Sequence, residues 1–145
     1  MTQLNSEKIT LGDVIRLALP LKTTLLAGAQ HVRRNVEWSV LLTSWNNLDE
    51  QVRTGDLVIL PLELQQQSTK AGLRQKLEQL AAMRVSGVLS LLQIPPDIVQ
   101  MADEKRLPLI IVPEGTSLRD VQQTIASLLI DRQAATSQRT MQLYR

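Results

Sequence analysis

Three short apolar runs, each followed by a stretch of helical periodicity, constrain the fold of this chain more than any other feature. The first is Leu57-Val58-Ile59-Leu60, launched by Thr54-Gly55-Asp56 and stopped by Pro61. The second is Val88-Leu89-Ser90-Leu91-Leu92, which follows Ser86-Gly87, and the third is Leu109-Ile110-Ile111-Val112 between Pro108 and Pro113. Runs this short and continuous read as strands buried on both faces, as in a parallel sheet held between layers of helices. The segments between them agree. Residues 70–85 carry Leu73, Leu77, Leu80 and Ala81 on one stripe. Residues 95–106 begin with two prolines, suited to a first helical turn, and put Ile98, Met101 and Ala102 on one face. Ser117, with Asp120 three residues on, caps a last helix whose stripe is Leu118, Val121, Ile125 and Leu128, widened by Leu129. This alternation predicts an α/β fold: a three-layer, Rossmann-like domain with a mainly parallel sheet and a long C-terminal helix. Val58, Leu60, Val88, Leu91, Ile110 and Val112 are expected to be almost fully buried.

The first third is less regular. Thr10 and Asp13 form a capping pattern ahead of Leu11, Val14, Ile15 and Leu19, and Pro20 ends that helix. Residues 23–28 read as a short strand closed by Gly28. Residues 35–42 read as another, with Val36, Trp38 and Val40 on one face. The polar stretch 43–53 predicts a loop or one helical turn. The resulting organisation is a disordered N-terminus over 1–8, one α/β domain over 9–130, and a helical tail, connector or dimerisation segment over 131–145. The apolar stripe of the last helix fades after Ile130; in register it reaches Arg132, Ala135, Arg139 and Gln142. Met141, Leu143 and Tyr144 are nonetheless apolar enough to suit a partner surface, which predicts a homodimer packed through residues after about Ile130.

Composition removes several function classes. There is no cysteine, so disulfides, thiolate catalysis and cysteine zinc sites are excluded. His31 is the sole histidine; with no G-x-S-x-G and no P-loop in the chain, no catalytic group, metal or cofactor is expected, and the protein is not predicted to be an enzyme. The 16 Lys and Arg against 14 Asp and Glu leave a net charge of +2, too little for a dedicated nucleic-acid surface, so no DNA contact by this chain is expected. With no Phe and 2% aromatic residues, the core must be Leu, Ile, Val, Ala and Met. No apolar run approaches the ~18 residues that span a bilayer, and the first ten residues lack the apolar stretch of a signal peptide. No membrane association and a cytoplasmic location are expected.

Several short patterns then line up in order. They are Thr10-x-x-Asp13-Val14, Ala27-Gly28, Val36-x-Trp38, Arg53-x-Gly55-Asp56-Leu57-Val58, and Ala102-Asp103-Glu104-x-x-Leu107-Pro108-Leu109-Ile110. Their spacing over residues 9–132 resembles the N-terminal domain of the purine catabolism regulator-like family, the PucR-type bacterial transcription regulators. The resemblance implies a sensory or regulatory module joined through a helix to later parts that include a helix-turn-helix. No segment of this sequence reads as a helix-turn-helix, which implies a sensor domain alone or a short relative. Two stretches depart from the family pattern. Leu60-Pro61-Leu62-Glu63 replaces small hydroxyl residues and glycine, and His31-Val32-Arg33-Arg34 replaces a Gly-Leu-Asp-Arg type of stretch.

Candidate ligand residues come from topology and charge. Ligands of open parallel sheets collect beyond the carboxyl ends of the strands. Those ends here offer Pro61 and Glu63, Gln93, and the turn Glu114-Gly115-Thr116-Ser117 before the last helix. The prolines equally serve as plain strand terminators, and Ser117 equally as a cap. Arg33 and Arg34 add forked donors suited to phosphate or carboxylate. The partners expected are a small-molecule metabolite and a second copy of the chain. The alternative is a protein-interaction or dimerisation module with no ligand.

Overall fold

The computed structural model describes residues 8–143, with side chains described as far as residue 131. Helix α1 (Leu11–Ala18) opens on a complete capping box: Asp13 N–H donates to Thr10 Oγ1 (3.1 Å), and Thr10 N–H donates to the Asp13 carboxylate (3.0 Å). Strand β1 (Thr24–Ala27) follows, then a 3-10 turn (Ala29–His31) and a crossing loop to β2 (Trp38–Leu41). From there strands and helices alternate: α2 (Leu48–Gln51), β3 (Asp56–Ile59), α3 (Leu62–Gln67), α4 (Lys70–Ala82), β4 (Gly87–Ser90), α5 (Pro96–Glu104), β5 (Leu109–Ile111) and α6 (Leu118–Leu143).

The sheet order is β1-β5-β4-β3-β2. Strands β2 to β5 are parallel, with Val40 beside Val58, Val58 beside Val88 and Leu89 beside Ile110. The edge strand β1 runs antiparallel to β5 and has a bulge between Leu25 and Ala27. The central strands alternate between two cores, which is why their middles are apolar on both faces, with the buried polar Asp56 and Ser90 at the ends of β3 and β4. Val58, Leu60, Val88 and Leu109 face Leu73, Leu77, Leu80, Ile98 and Met101 of α4 and α5. Leu57, Ile59, Leu89 and Ile110 face Leu11 and Val14 of α1 and Val121, Ile125 and Leu129 of α6. Each fully buried large side chain here contributes about 1.5–3 kcal/mol by leaving water. Three layers result, as the strand and helix periodicities predict.

Local expectations fail where an element ends or lies at an edge. Leu91 is only half-buried, because β4 stops at Ser90 and the chain is already turning away. On β2 the face is not Val36, Trp38 and Val40. Trp38 is 42% exposed on this edge strand, while Ser39 is buried beside Leu57 on the side that α6 covers. The small serine lets that helix pass close over β2. The polar run after Pro61 is a helix, α3, whose inward face is Leu64 and Gln65. The proposed disordered N-terminus and the side chains of Met141, Leu143 and Tyr144 lie outside the described residues.

Candidate functional site

The two ends of the parallel strands differ, and at the carboxyl end of β3 and β4 the protein's own polar groups pair with one another. Only Pro61 separates Leu60, the first residue past β3, from α3, so the first turn of that helix folds straight back over the strand ends. Gln65, buried, donates from Nε2 to Leu92 O (3.1 Å), and the Ser90 hydroxyl donates to Gln65 Oε1 (2.7 Å). Trp45 Nε1 donates to Ser68 Oγ (2.8 Å), whose own hydroxyl donates to Leu64 O (2.8 Å). Past β2, Gln51 accepts from Thr43 N–H (3.0 Å) and donates to Asn46 O (2.8 Å). Every buried polar group in this set has a partner, as burial demands.

The amino end is built by the crossing loop. β1 and β2 lie at opposite edges of the sheet, so residues 28–37 must run past the starts of β5, β4 and β3. Gly28 begins the crossing at φ 75°, where a Cβ would lie 2.6 Å from Pro108 Cα; only glycine fits both the backbone angle and the approach. Its N–H donates to the Asp103 carboxylate (3.0 Å). Further along, Leu11 N–H donates to Arg34 O (2.8 Å) and Val36 N–H to Ile9 O (2.8 Å), which fastens the loop beneath α1. Ser86 Oγ donates to Asn35 O (2.7 Å), and Gly55 N–H donates to Arg84 O (3.1 Å).

Between this loop and the ends of α4 and α5 lies a cleft of about 640 Å³. Arg34 and Asn35 line it from the loop, Gly55 from the turn before β3, Ala81 and Arg84 from the end of α4, and Lys105 and Arg106 from the end of α5. Helices α4 and α5 both close on a left-handed residue, and both times it is arginine: Arg84 at φ 60° and Arg106 at φ 61°. After α5 the closure is a Schellman motif, with Leu107 N–H donating to Ala102 O (2.8 Å) and Arg106 N–H to Asp103 O (3.2 Å). Arg34 is half-buried and donates from Nη1 to Val85 O (3.2 Å). Burial, and then the neighbouring Arg106 charge, lower its pKa from the ordinary arginine value. Four cations therefore share one concavity, and no carboxylate lines it.

The residues expected from sequence divide between the two ends. Pro61, Glu63, Gln93 and the turn Glu114-Gly115-Thr116-Ser117 are at the carboxyl end, with Glu63, Gln93, Glu114, Gly115 and Ser117 exposed. Ser117 Oγ accepts from Asp120 N–H (3.2 Å), so it is engaged as the cap of α6. Arg34 is at the amino end in the cleft, while Arg33 is exposed and does not line it. The structure thus does not bring the nine candidates into one site. Arg84, Lys105 and Arg106 are functional candidates that the sequence pattern does not single out; the only signal is a cation shortly ahead of each of two strands, Arg84 before β4 and Arg106 before β5. Among the described residues, no cluster of three His, Cys, Asp or Glu could hold a metal.

A three-layer α/β domain with a mainly parallel sheet and a long final helix is the class that this architecture defines. Residues 13–129 match the purine catabolism regulatory protein-like family, PucR, and the chain belongs to it. No curated protein matches the chain significantly. Among solved structures it is similar to the CBS and DRTGG domains of the regulatory region of Clostridium perfringens pyrophosphatase, complexed with the activator diadenosine tetraphosphate. The two are 16% identical with a TM-score of 0.57, over 89% of this chain and 51% of the other, so this chain spans about half the length of that structure. At that identity the likeness is one of fold. No helix among the described residues is long and apolar enough to cross a membrane.

Proposed function

We propose that this chain is the sensory domain of a PucR-type transcription regulator: a non-enzymatic, cytoplasmic module that binds a small metabolite and signals through α6. The observation that carries this reading is membership of the regulatory family over residues 13–129. The layout of α6 supports it. Val121, Ile125 and Leu129 are part of the core beneath β3, β4 and β5, and the same helix runs on to Leu143. A shift of the sheet therefore has a continuous helix through which to act. The fold neighbour, a regulatory region crystallised with a nucleotide activator, fits the same reading by analogy.

A thermal-shift panel of purines, their breakdown products, phosphorylated nucleosides and amino acids tests it. A ligand at 100 times its dissociation constant should stabilise by about 2.7 kcal/mol. Failure of the whole panel would sink metabolite sensing. The filled carboxyl end favours a second reading, a ligand-free interaction module dimerising through residues after about Ile130. Light scattering of the full chain and of a version ending at Arg132 tests the dimer that either reading allows, and the thermal-shift panel separates the two, because only the sensory reading requires stabilisation by a ligand.

A further inference from the structure

We propose that the cleft at the amino end of the strands binds a phosphorylated small molecule, whose phosphate groups are held by Arg34, Arg84, Lys105 and Arg106. This rests on the sensory reading above and gives it a ligand class.

The cleft gathers four positive charges, and among the described residues no carboxylate lines it. None of the four forms an ion pair among the described residues; the pairs present are Arg16–Asp13, Lys70–Asp97, Arg74–Glu78 and Arg74–Asp97. The acids closest in sequence are turned to other work. Asp103 accepts from Gly28 N–H, Glu104 accepts from Gln100 (3.4 Å), and Asp56 accepts from Arg53 N–H (2.9 Å). The stem of Glu37 lies against Gly55 without lining the cleft. Holding Arg34 half-buried beside Arg106 is unfavourable by both desolvation and like charge. An anion between the two guanidinium groups reverses the sign of the second effect.

The plain alternative is that cations near helix C-termini complement the helix dipole. It covers Lys105, and part of the case for Arg84 and Arg106. It does not cover Arg34, which arrives from the crossing loop. Nor does it explain arginine at two left-handed positions, where glycine is the strain-free choice and any cation in the preceding turn would serve the dipole. Two departures from local preference that converge on one cavity mark a feature kept for a reason other than folding.

Phosphate suits the geometry better than carboxylate. Guanidinium forks accept either, but four cations exceed what one carboxylate can neutralise. The cleft is within the size range of small-ligand sites, so there is room for an organic portion beside Ala81 and Asn35. Being concave, on a chain of net charge +2, it does not offer the broad basic face that tracks a duplex backbone.

The test is titration calorimetry of the full chain with inorganic pyrophosphate, at ionic strength held constant with KCl, alongside amide chemical-shift mapping. Saturable binding is expected, with shifts confined to Arg34 to Asn35, Gly55, Arg84 to Val85 and Lys105 to Leu107. The double variant Arg84→Gly, Arg106→Gly should bind about tenfold more weakly or worse. Without pyrophosphate its melting temperature should equal or exceed that of the parent chain, because glycine relieves both left-handed positions. A purely dipole-complementing role would give no pyrophosphate binding to lose. The proposal is overturned by no heat beyond the KCl control, by shifts at 61–63 or 113–117 instead, by unchanged affinity in the double variant, or by duplex DNA displacing pyrophosphate. Should the double variant not fold, the shift map of the parent chain decides alone. If an uncharged purine stabilises the chain while pyrophosphate does not bind, the sensory reading survives and the phosphate assignment falls.

Discussion

The carboxyl and amino ends of the same four parallel strands differ in how the chain beyond them is used. In open α/β sheets the carboxyl end is the expected ligand position, because chain reversals there leave a crevice. Here α3 starts one proline beyond Leu60, and its Gln65 closes on Ser90 and Leu92, so that crevice holds the protein's own amide and hydroxyl groups. At the amino end a loop must travel from one sheet edge to the other, which leaves a gap between it and the ends of α4 and α5. Topology therefore nominates two possible crevices. What decides between them is which one the following residues fill.

The largest effect should come from Gly28, which sets the course of the crossing loop. Gly28→Ala places a methyl group 2.6 Å from Pro108 Cα at a backbone angle that L residues avoid. Because the obstacle is backbone, relief requires the loop or β5 to move. A loss of about 3 kcal/mol or more is expected in urea unfolding, with pyrophosphate affinity falling as Arg34 shifts. A loss below about 1 kcal/mol would mean that the loop is loosely held, and the contrast between a built amino end and a filled carboxyl end would weaken.

That contrast also marks how far the sequence could be read. The three apolar runs announced β3, β4 and β5 because a strand covered on both faces has few polar positions to blur it. The capping box at Thr10 and Asp13 was legible because its chemistry is local. α3 was not, since its inward face is one leucine and one glutamine within a polar run. The serine on the covered face of β2 hid that strand's orientation for the same reason. The cleft was least legible of all. Its cations come from three segments and meet only because β1 and β2 lie at opposite edges, a fact that no local pattern carries.

A middle-sized effect probes the carboxyl end. Gln65→Ala leaves the Ser90 hydroxyl without its amide partner and Leu92 O without the Nε2 donor. With the side-chain volume also lost, about 2 kcal/mol of destabilisation is expected. Pyrophosphate affinity should not change, since the plug and the cleft are at opposite ends of the strands. A change in affinity would show the two ends to be coupled through β3 and β4, and the comparison would have to be recast as one of linked sites.

The smallest effect concerns Asp56, buried next to Gly55 at the amino end. Burial pushes its pKa above the ordinary 3.8, against the pull of the Arg53 N–H bond and the Arg53 charge, with Glu37 adding to the rise. A raised folded-state value means that the folded chain holds this proton more tightly than the unfolded chain. Stability from this group is thus greatest below pH 3.8 and is lost as pH rises through the folded-state value. Asp13 has the opposite sign: the Thr10 N–H bond, the largest influence, lowers its pKa, so its contribution is present above 3.8 and lost in acid. Asp56→Asn keeps an oxygen for the Arg53 N–H (2.9 Å) and removes the titration. Across a series of urea unfolding curves, variant and parent should converge in acid, and the variant should become relatively more stable as pH rises towards neutrality. If the parent chain instead gains on the variant with rising pH, the charged bond to Arg53 outweighs desolvation. The surroundings at the amino end would then favour negative charge on balance, as an anion-holding cleft also must.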